Sequence, residues 1–105
     1  MYDFSKAKSR IEAGVLSKNM LTVVGTCSVD YAGRATSTLP MGKRLILIKG
    51  DNSISIHQNR LVRPTNYMMG ARFSCELGEN TMVLKASKTK PAEKLAVTFS
   101  SVLDI

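Results

Sequence analysis

The sequence predicts a mainly β domain, a small antiparallel β-sandwich or half-closed barrel of about seven strands preceded by one N-terminal helix. Three observations carry this. A chain of 105 residues has room for one hydrophobic core and not for two. From Met20 onward, β-branched runs are punctuated by turn residues every eight to ten positions, the cadence of short antiparallel strands. Only the first segment spaces its apolar residues for a helix.

That helix is expected between Asp3 and Asn19, where Ala7, Ile11, Val15 and Leu16 fall on one face. Asp3 or Ser5 can cap its start by accepting a bond from a first-turn amide, and Asn19 can end it. Strands follow at Leu21–Val29, Arg34–Leu39, Arg44–Lys49, Ser53–Gln58, Ala71–Glu76, Thr81–Ser87 and Leu95–Leu103. Turns are expected at Asp30–Gly33, Pro40–Lys43, Gly50–Asn52 and Gly78–Asn80, each holding a glycine beside Asp, Asn or Pro. Alternation is explicit at Ser53–Gln58, where Ile54 and Ile56 face one side and Ser53, Ser55 and His57 the other. Leu95, Val97 and Phe99 share a face in the same way. The stretch from Asn59 to Gly70 lacks alternation and contains Pro64, so it reads as a long loop, the kind of segment that carries function.

Composition narrows the chemistry. Fifteen Lys and Arg against eight Asp and Glu give a net charge of +7, which favours anionic partners. The excess is concentrated: residues 31–75 hold Arg34, Lys43, Arg44, Lys49, Arg60, Arg63 and Arg72 against Asp51 alone. Arginine's planar fork suits phosphate and stacks on rings. The long loop adds Asn66, Tyr67, Met68 and Met69, and an aromatic beside arginines suits single-stranded nucleic acid, one stacking on bases while the others follow the backbone. The competing reading is a solvated basic face.

Several chemistries lack their residues. Cys27 and Cys75 are too few for a disulfide framework and read as buried thiols, and with His57 they fall short of a closed zinc site. Around Gly42 the pattern of a phosphate-cradling loop fails, with Ser37 and Arg44 at the positions that should be Gly and Ser or Thr. A metal-dependent nuclease of the restriction type needs a Glu-x-Lys pair, and the residues two places after Glu12, Glu76, Glu79 and Glu93 are Gly14, Gly78, Thr81 and Leu95. His57 reads as a polar-face residue rather than a general base, and Met68 and Met69 as core. No apolar run reaches membrane-spanning length and the N-terminal residues do not resemble a signal peptide, so the expectation is a cytoplasmic protein without membrane attachment.

Three stretches resemble a known family. Tyr31-Ala32-Gly33-Arg34-Ala35-Thr36-Ser37, Gly42-Lys43-Arg44-Leu45-Ile46-Leu47-Ile48-Lys49, and Ile56-His57-Gln58-Asn59-Arg60 through Pro64-Thr65-Asn66-Tyr67 are similar to the N-terminal domain of the archaeal and actinobacterial NucS (EndoMS) mismatch endonucleases. Lys90-Pro91-Ala92-Glu93-Lys94-Leu95-Ala96-Val97 resembles the end of that domain, so the likeness runs along nearly the whole chain. It implies a homodimerising β-sandwich or half-closed barrel that binds DNA, with cleavage in a separate restriction-like domain. It also implies that Arg34 matches the DNA-binding arginine of a Tyr-x-Gly-Arg turn, and that Asn66 and Tyr67 match an Asn-Trp pair facing an extruded base. Tyrosine in place of tryptophan offers a smaller stacking surface, and Lys43 stands where many members have an acid. Either Arg60 or Arg63 can match the family's loop arginine.

The combined expectation is one DNA-binding domain over residues 1–105 with no nuclease domain, no catalytic residue, no metal and no cofactor. Its candidate nucleic-acid contacts are Arg34, Lys43, Arg44, Arg60, Arg63, Asn66 and Tyr67. The expected partners are single-stranded or distorted duplex DNA, a second copy of the chain, and in one version a separate nuclease subunit. An assembly module with a merely solvated basic face is the alternative.

Overall fold

The computed structural model describes residues 2–105; Met1, the first residue of the stretch assessed as a signal peptide, lies outside them. Helix α1 spans Phe4–Leu16. Seven strands follow, β1 Leu21–Ala32, β2 Thr36–Ile48, β3 Ile54–Gln58, β4 Asn66–Met68, β5 Arg72–Gly78, β6 Thr81–Thr89 and β7 Ala92–Asp104. All are antiparallel neighbours in one sheet of order β4-β3-β2-β1-β7-β6-β5. The fold is therefore a half-barrel made from one curled sheet, and not two stacked sheets.

One face of the sheet is the core. Val23, Cys27 and Val29 of β1, Ile46 and Ile48 of β2, Ile54 and Ile56 of β3, and Leu95, Val97 and Phe99 of β7 alternate with outward residues and are buried. The alternation expected in Ser53–Gln58 and the last strand is present. Helix α1 packs chiefly against β5, with further contacts to β1, β6 and β7, and buries Ala7, Ile11 and Gly14.

Leu16, expected on the buried face of α1, is 85% exposed. Gly14 takes that place: a methyl group there would come 3.1 Å from Leu21, so the helix approaches β1 through its glycine and Leu16 is turned outward. Asp3 caps the helix as expected, accepting from the Lys6 amide at 2.9 Å. The end comes earlier than Asn19. Lys18 takes a left-handed conformation (φ 56), and the Lys18 and Asn19 amides bond back to the carbonyls of Val15 and Gly14 in a Schellman closure.

The largest departure is in β2. Arg34–Leu39 and Arg44–Lys49 were expected as separate strands across a turn at Pro40–Lys43, but Thr36–Ile48 is continuous. Cys27 pairs with Gly42 and Val29 with Leu39, so Pro40 and Met41 together oppose Ser28 in a β-bulge. A bulge accommodates proline because the extra residue is released from the ladder. The chain keeps its direction, and β1–β2 becomes a long hairpin whose far end reaches past the core.

The loop between β3 and β5 also contains a strand not expected from the sequence. Asn66–Met68 adds three residues to the edge, pairing Asn66 with Ile56 and Met68 with Ile54. Pro64 lies just outside the pairing. Met68 is buried as expected; Met69 is not, being 66% exposed.

Candidate nucleic-acid interface at the barrel mouth

The far end of the β1–β2 hairpin, the β6–β7 turn and β4 meet at one mouth of the half-barrel. Residues 33–35 close the hairpin, with Ala32 opposite Thr36 and the Gly33 amide bonded to the Ala35 carbonyl at 2.9 Å. Arg34 is exposed at its tip. Gly33 leaves room for the Tyr31 hydroxyl, which folds back beneath the turn: a methyl group on the glycine would stand 2.5 Å from it and displace the tyrosine.

That hydroxyl donates to Glu93 Oε1 at 2.7 Å, and Lys88 Nζ lies 3.2 Å from Glu93 Oε2. Lys88 and Glu93 are directly opposite across β6 and β7. Glu93 is buried, and the Tyr31 hydroxyl, followed by Lys88, holds its carboxyl below the usual carboxylate range. The same carboxylate raises the Tyr31 phenol above its ordinary value. One acid at the mouth is thus neutralised by its neighbours, and Arg34 adds positive charge nearby.

Opposite stand Thr65, Asn66 and Tyr67. The base of their loop is fixed by the Thr65 amide on the Ile56 carbonyl at 2.8 Å. The Asn66 amide nitrogen lies 3.5 Å from the Ser37 hydroxyl, drawing β4 toward the overhanging half of β2. Between the two sides is a cavity of about 320 Å³, lined by Tyr31, Arg34, Asn66, Tyr67, Lys88 and Glu93 among others. This lies at the lower end of small-molecule sites, roughly 300–1,000 Å³. Tyr67 is 65% exposed and forms the rim.

Of the seven candidates, the mouth brings together Arg34, Asn66 and Tyr67. Arg60 and Arg63 are exposed in the adjoining β3–β4 loop. Lys43 is exposed on the outward face of β2, paired with Thr26, and does not line the cavity. Arg44 differs from the expectation most: it is 8% exposed, and its Nη1 donates to the carbonyl of Pro40 at 2.8 Å and to that of Cys27. One carbonyl lies in the bulge and the other beside it across the ladder, so Arg44 clamps the distortion that lets β2 run past its proline. It is not presented to an external phosphate.

Tyr31, Lys88 and Glu93 were not among the candidates. The signal was present: period-2 counting from Ala86 and Leu95 puts Lys88 and Glu93 on the core-facing side, beyond the last apolar residue. His57 is on the outward side of β3, as expected, and its Nε2 lies 3.0 Å from the Ser55 hydroxyl on the same strand. Both cysteines are buried free thiols, and burial pushes Cys75 up to about 11. Among the described residues no helix is long and apolar enough to cross a membrane.

A seven-stranded antiparallel half-barrel preceded by one helix, with Arg34, Asn66 and Tyr67 gathered at one mouth, belongs to the class of small β domains built on a single curled sheet. The model of the endonuclease NucS N-terminal PH-like domain matches residues 17–104, and the chain belongs to this family. Endonuclease NucS of Thermococcus kodakarensis is 40% identical over 95 residues, covering 90% of this chain and 37% of the relative. The Streptomyces coelicolor endonuclease NucS is 43% identical over 88 residues, covering 80% and 38%. Among solved structures, an EndoMS complex with double-stranded DNA superposes with a TM-score of 0.89 at 38% identity, covering 95% of this chain and 42% of that one. A repair endonuclease from Pyrococcus abyssi gives 0.74 at 26% identity, covering 99% and 48%. The chain thus spans less than half the length of each of these proteins.

Proposed function

We propose that this domain binds single-stranded or distorted duplex DNA across the barrel mouth, does not itself cut it, and pairs with a second copy of the chain. The observation that carries the reading is the juxtaposition at one cavity of Arg34, which has no ion-pair partner among the described residues, with an exposed tyrosine and an amide, Tyr67 and Asn66. Cations can hold phosphates while Tyr67 offers a face for a base and Asn66 offers both a donor and an acceptor to its edge. Arg60 and Arg63 extend the positive charge along the neighbouring loop. The likeness to EndoMS in a DNA complex supports the same assignment.

Three of the acids are paired within the fold. Glu93 is held by Tyr31 and Lys88, Glu76 by Lys85 at 3.0 Å, and Glu12 by Lys8 at 3.0 Å. Cleavage, as in the endonucleases of the family, would fall to residues outside these, on a nuclease domain or a separate nuclease subunit. Dimerisation is supported by an open edge: β3 pairs with β2 only over Arg44–Ile48, which leaves residues 36–43 with β1 as their sole strand-pairing partner among the described residues.

Fluorescence anisotropy with single-stranded, duplex and mismatched DNA at two salt concentrations tests the reading. For single strands, four or five phosphate contacts give a log–log salt slope near about −3, at about 0.7 per contact. Light scattering should give a dimer mass. A slope near zero with the dimer intact would favour the assembly-module reading instead.

A further inference from the structure

The loop joining β3 to β4 carries a feature that the mouth does not use. Its tip reads Arg60-Leu61-Val62-Arg63. Leu61 is 78% exposed and Val62 92% exposed, with an arginine on either side. Leu61 holds a left-handed backbone conformation, φ 65, which disfavours any residue with a side chain other than Asn or Asp. The tip is not a floppy end: Thr65 bonds the Ile56 carbonyl through both its amide and its hydroxyl, and Asn66 and Tyr67 directly beyond belong to the mouth. Among the described residues neither Arg60 nor Arg63 has an ion-pair partner.

Two apolar side chains held in water between two free cations, on a tightly anchored turn, match the chemistry of a stacked polyanion whose interior is apolar. Proteins that distort duplex DNA press such side chains between base steps while their cations hold the phosphates. A protein surface would complement the apolar pair but would also need an acid for each arginine; the DNA backbone supplies a negative charge on both sides of every step.

We propose that Leu61 and Val62 form a wedge that enters the base stack of duplex DNA at a weakly stacked step beside a mismatch, with Arg60 and Arg63 on the flanking phosphates. The wedge rests on the DNA-binding reading and adds to it a distinct act. The mouth receives a base; the loop opens the stack from which that base leaves.

The test uses the whole chain and a short duplex carrying 2-aminopurine beside one mismatched pair, a probe that brightens when its neighbour unstacks. The native chain should raise the emission clearly above that of free duplex at saturation, because a wedged step unstacks the probe's neighbour. The Leu61→Gly/Val62→Ser double variant should fold normally, because glycine suits the left-handed position and both sites are exposed. It should bind single-stranded DNA within about twofold of the native chain, since the phosphate contacts remain, yet leave the 2-aminopurine emission near that of free duplex. An unchanged rise in the double variant would overturn the wedge, as would a native chain that binds the duplex with no rise. A double variant that keeps the rise but changes oligomeric mass would show that the tip contacts a second copy. Failure of the native chain to bind any DNA would overturn the DNA-binding reading and the wedge with it. The single-strand arm therefore separates the two failures.

Discussion

Arg34 and Arg44 lie ten positions apart in the same basic stretch, and the fold puts them to opposite uses. Arg44 is in the buried half of β2, where its guanidinium ties the carbonyls of Cys27 and Pro40 at a bulge. Arg34 tops the overhanging end of the same hairpin, exposed beside a cavity. Pairing accounts for the contrast. Where β2 has both β1 and β3 as neighbours, its alternate residues turn into the core; where it has only β1, they meet solvent. Charge concentration along a sequence therefore marks a site only after the sheet has taken its share.

The largest expected break in this contrast comes from Arg44→Ala. Removing the guanidinium strands two carbonyls at the bulge and should cost about 3 kcal/mol of stability, read as a lower urea midpoint. DNA affinity of the remaining folded protein should stay within about twofold, because the mouth is built from other residues. A stable Arg44→Ala protein with lost affinity would reverse the roles assigned to the two arginines.

Arg34→Ala should do the opposite. Stability should change by no more than about 0.5 kcal/mol, as for other exposed positions. Binding should weaken roughly tenfold for all sequences alike, with the single-strand salt slope reduced by about 0.7. Tyr67→Ala should cost about 1–3 kcal/mol of binding through lost stacking and leave the salt slope unchanged. Tyr67→Trp should bind as well or better, having the larger ring. Loss of binding by Tyr67→Ala only in proportion to a lowered melting temperature would make the tyrosine structural.

The smallest effect is the pH response of the mouth. Glu93 has a lowered pKa, so its contribution to stability is present above the unfolded value, about 4.3, and disappears as pH falls through the lower folded value. Tyr31 has a raised pKa; its contribution is complete below about 10 and disappears as pH rises through the folded value. Glu93→Gln should therefore flatten both limbs of a denaturation profile across pH. An identical profile in Glu93→Gln would show that the Tyr31–Glu93–Lys88 contacts contribute nothing to the fold.

Much of this architecture was legible in local pattern. Helix α1, the alternation of β3 and β7, and the Gly78–Asn80 turn follow from apolar spacing and from Asn80, which takes a positive φ of 62. What local pattern missed depends on neighbours far along the chain. Pro40 and Gly42 look like a turn in isolation, but a bulge against β1 and the Arg44 clamp absorb them. Asn66–Met68 becomes a strand because the edge of β3 is open to it and not through its own alternation. In the candidate site, Arg34, Asn66 and Tyr67 are legible from residue type and family likeness. Lys88 and Glu93 were missed because they lie where the chain's charges balance, and only the curl of the sheet carries them to the mouth.

The location of binding is tested most directly by mapping backbone amide shifts of the isotope-labelled chain as a short single-stranded oligonucleotide is titrated in. The largest changes are expected on Tyr31, Gly33, Arg34, Asn66, Tyr67, Met69 and Lys88, with Arg44 and the outward face around Lys43 little affected. Changes concentrated at Lys43 and Thr26, or along α1 and β5, with the mouth silent would contradict binding at the mouth.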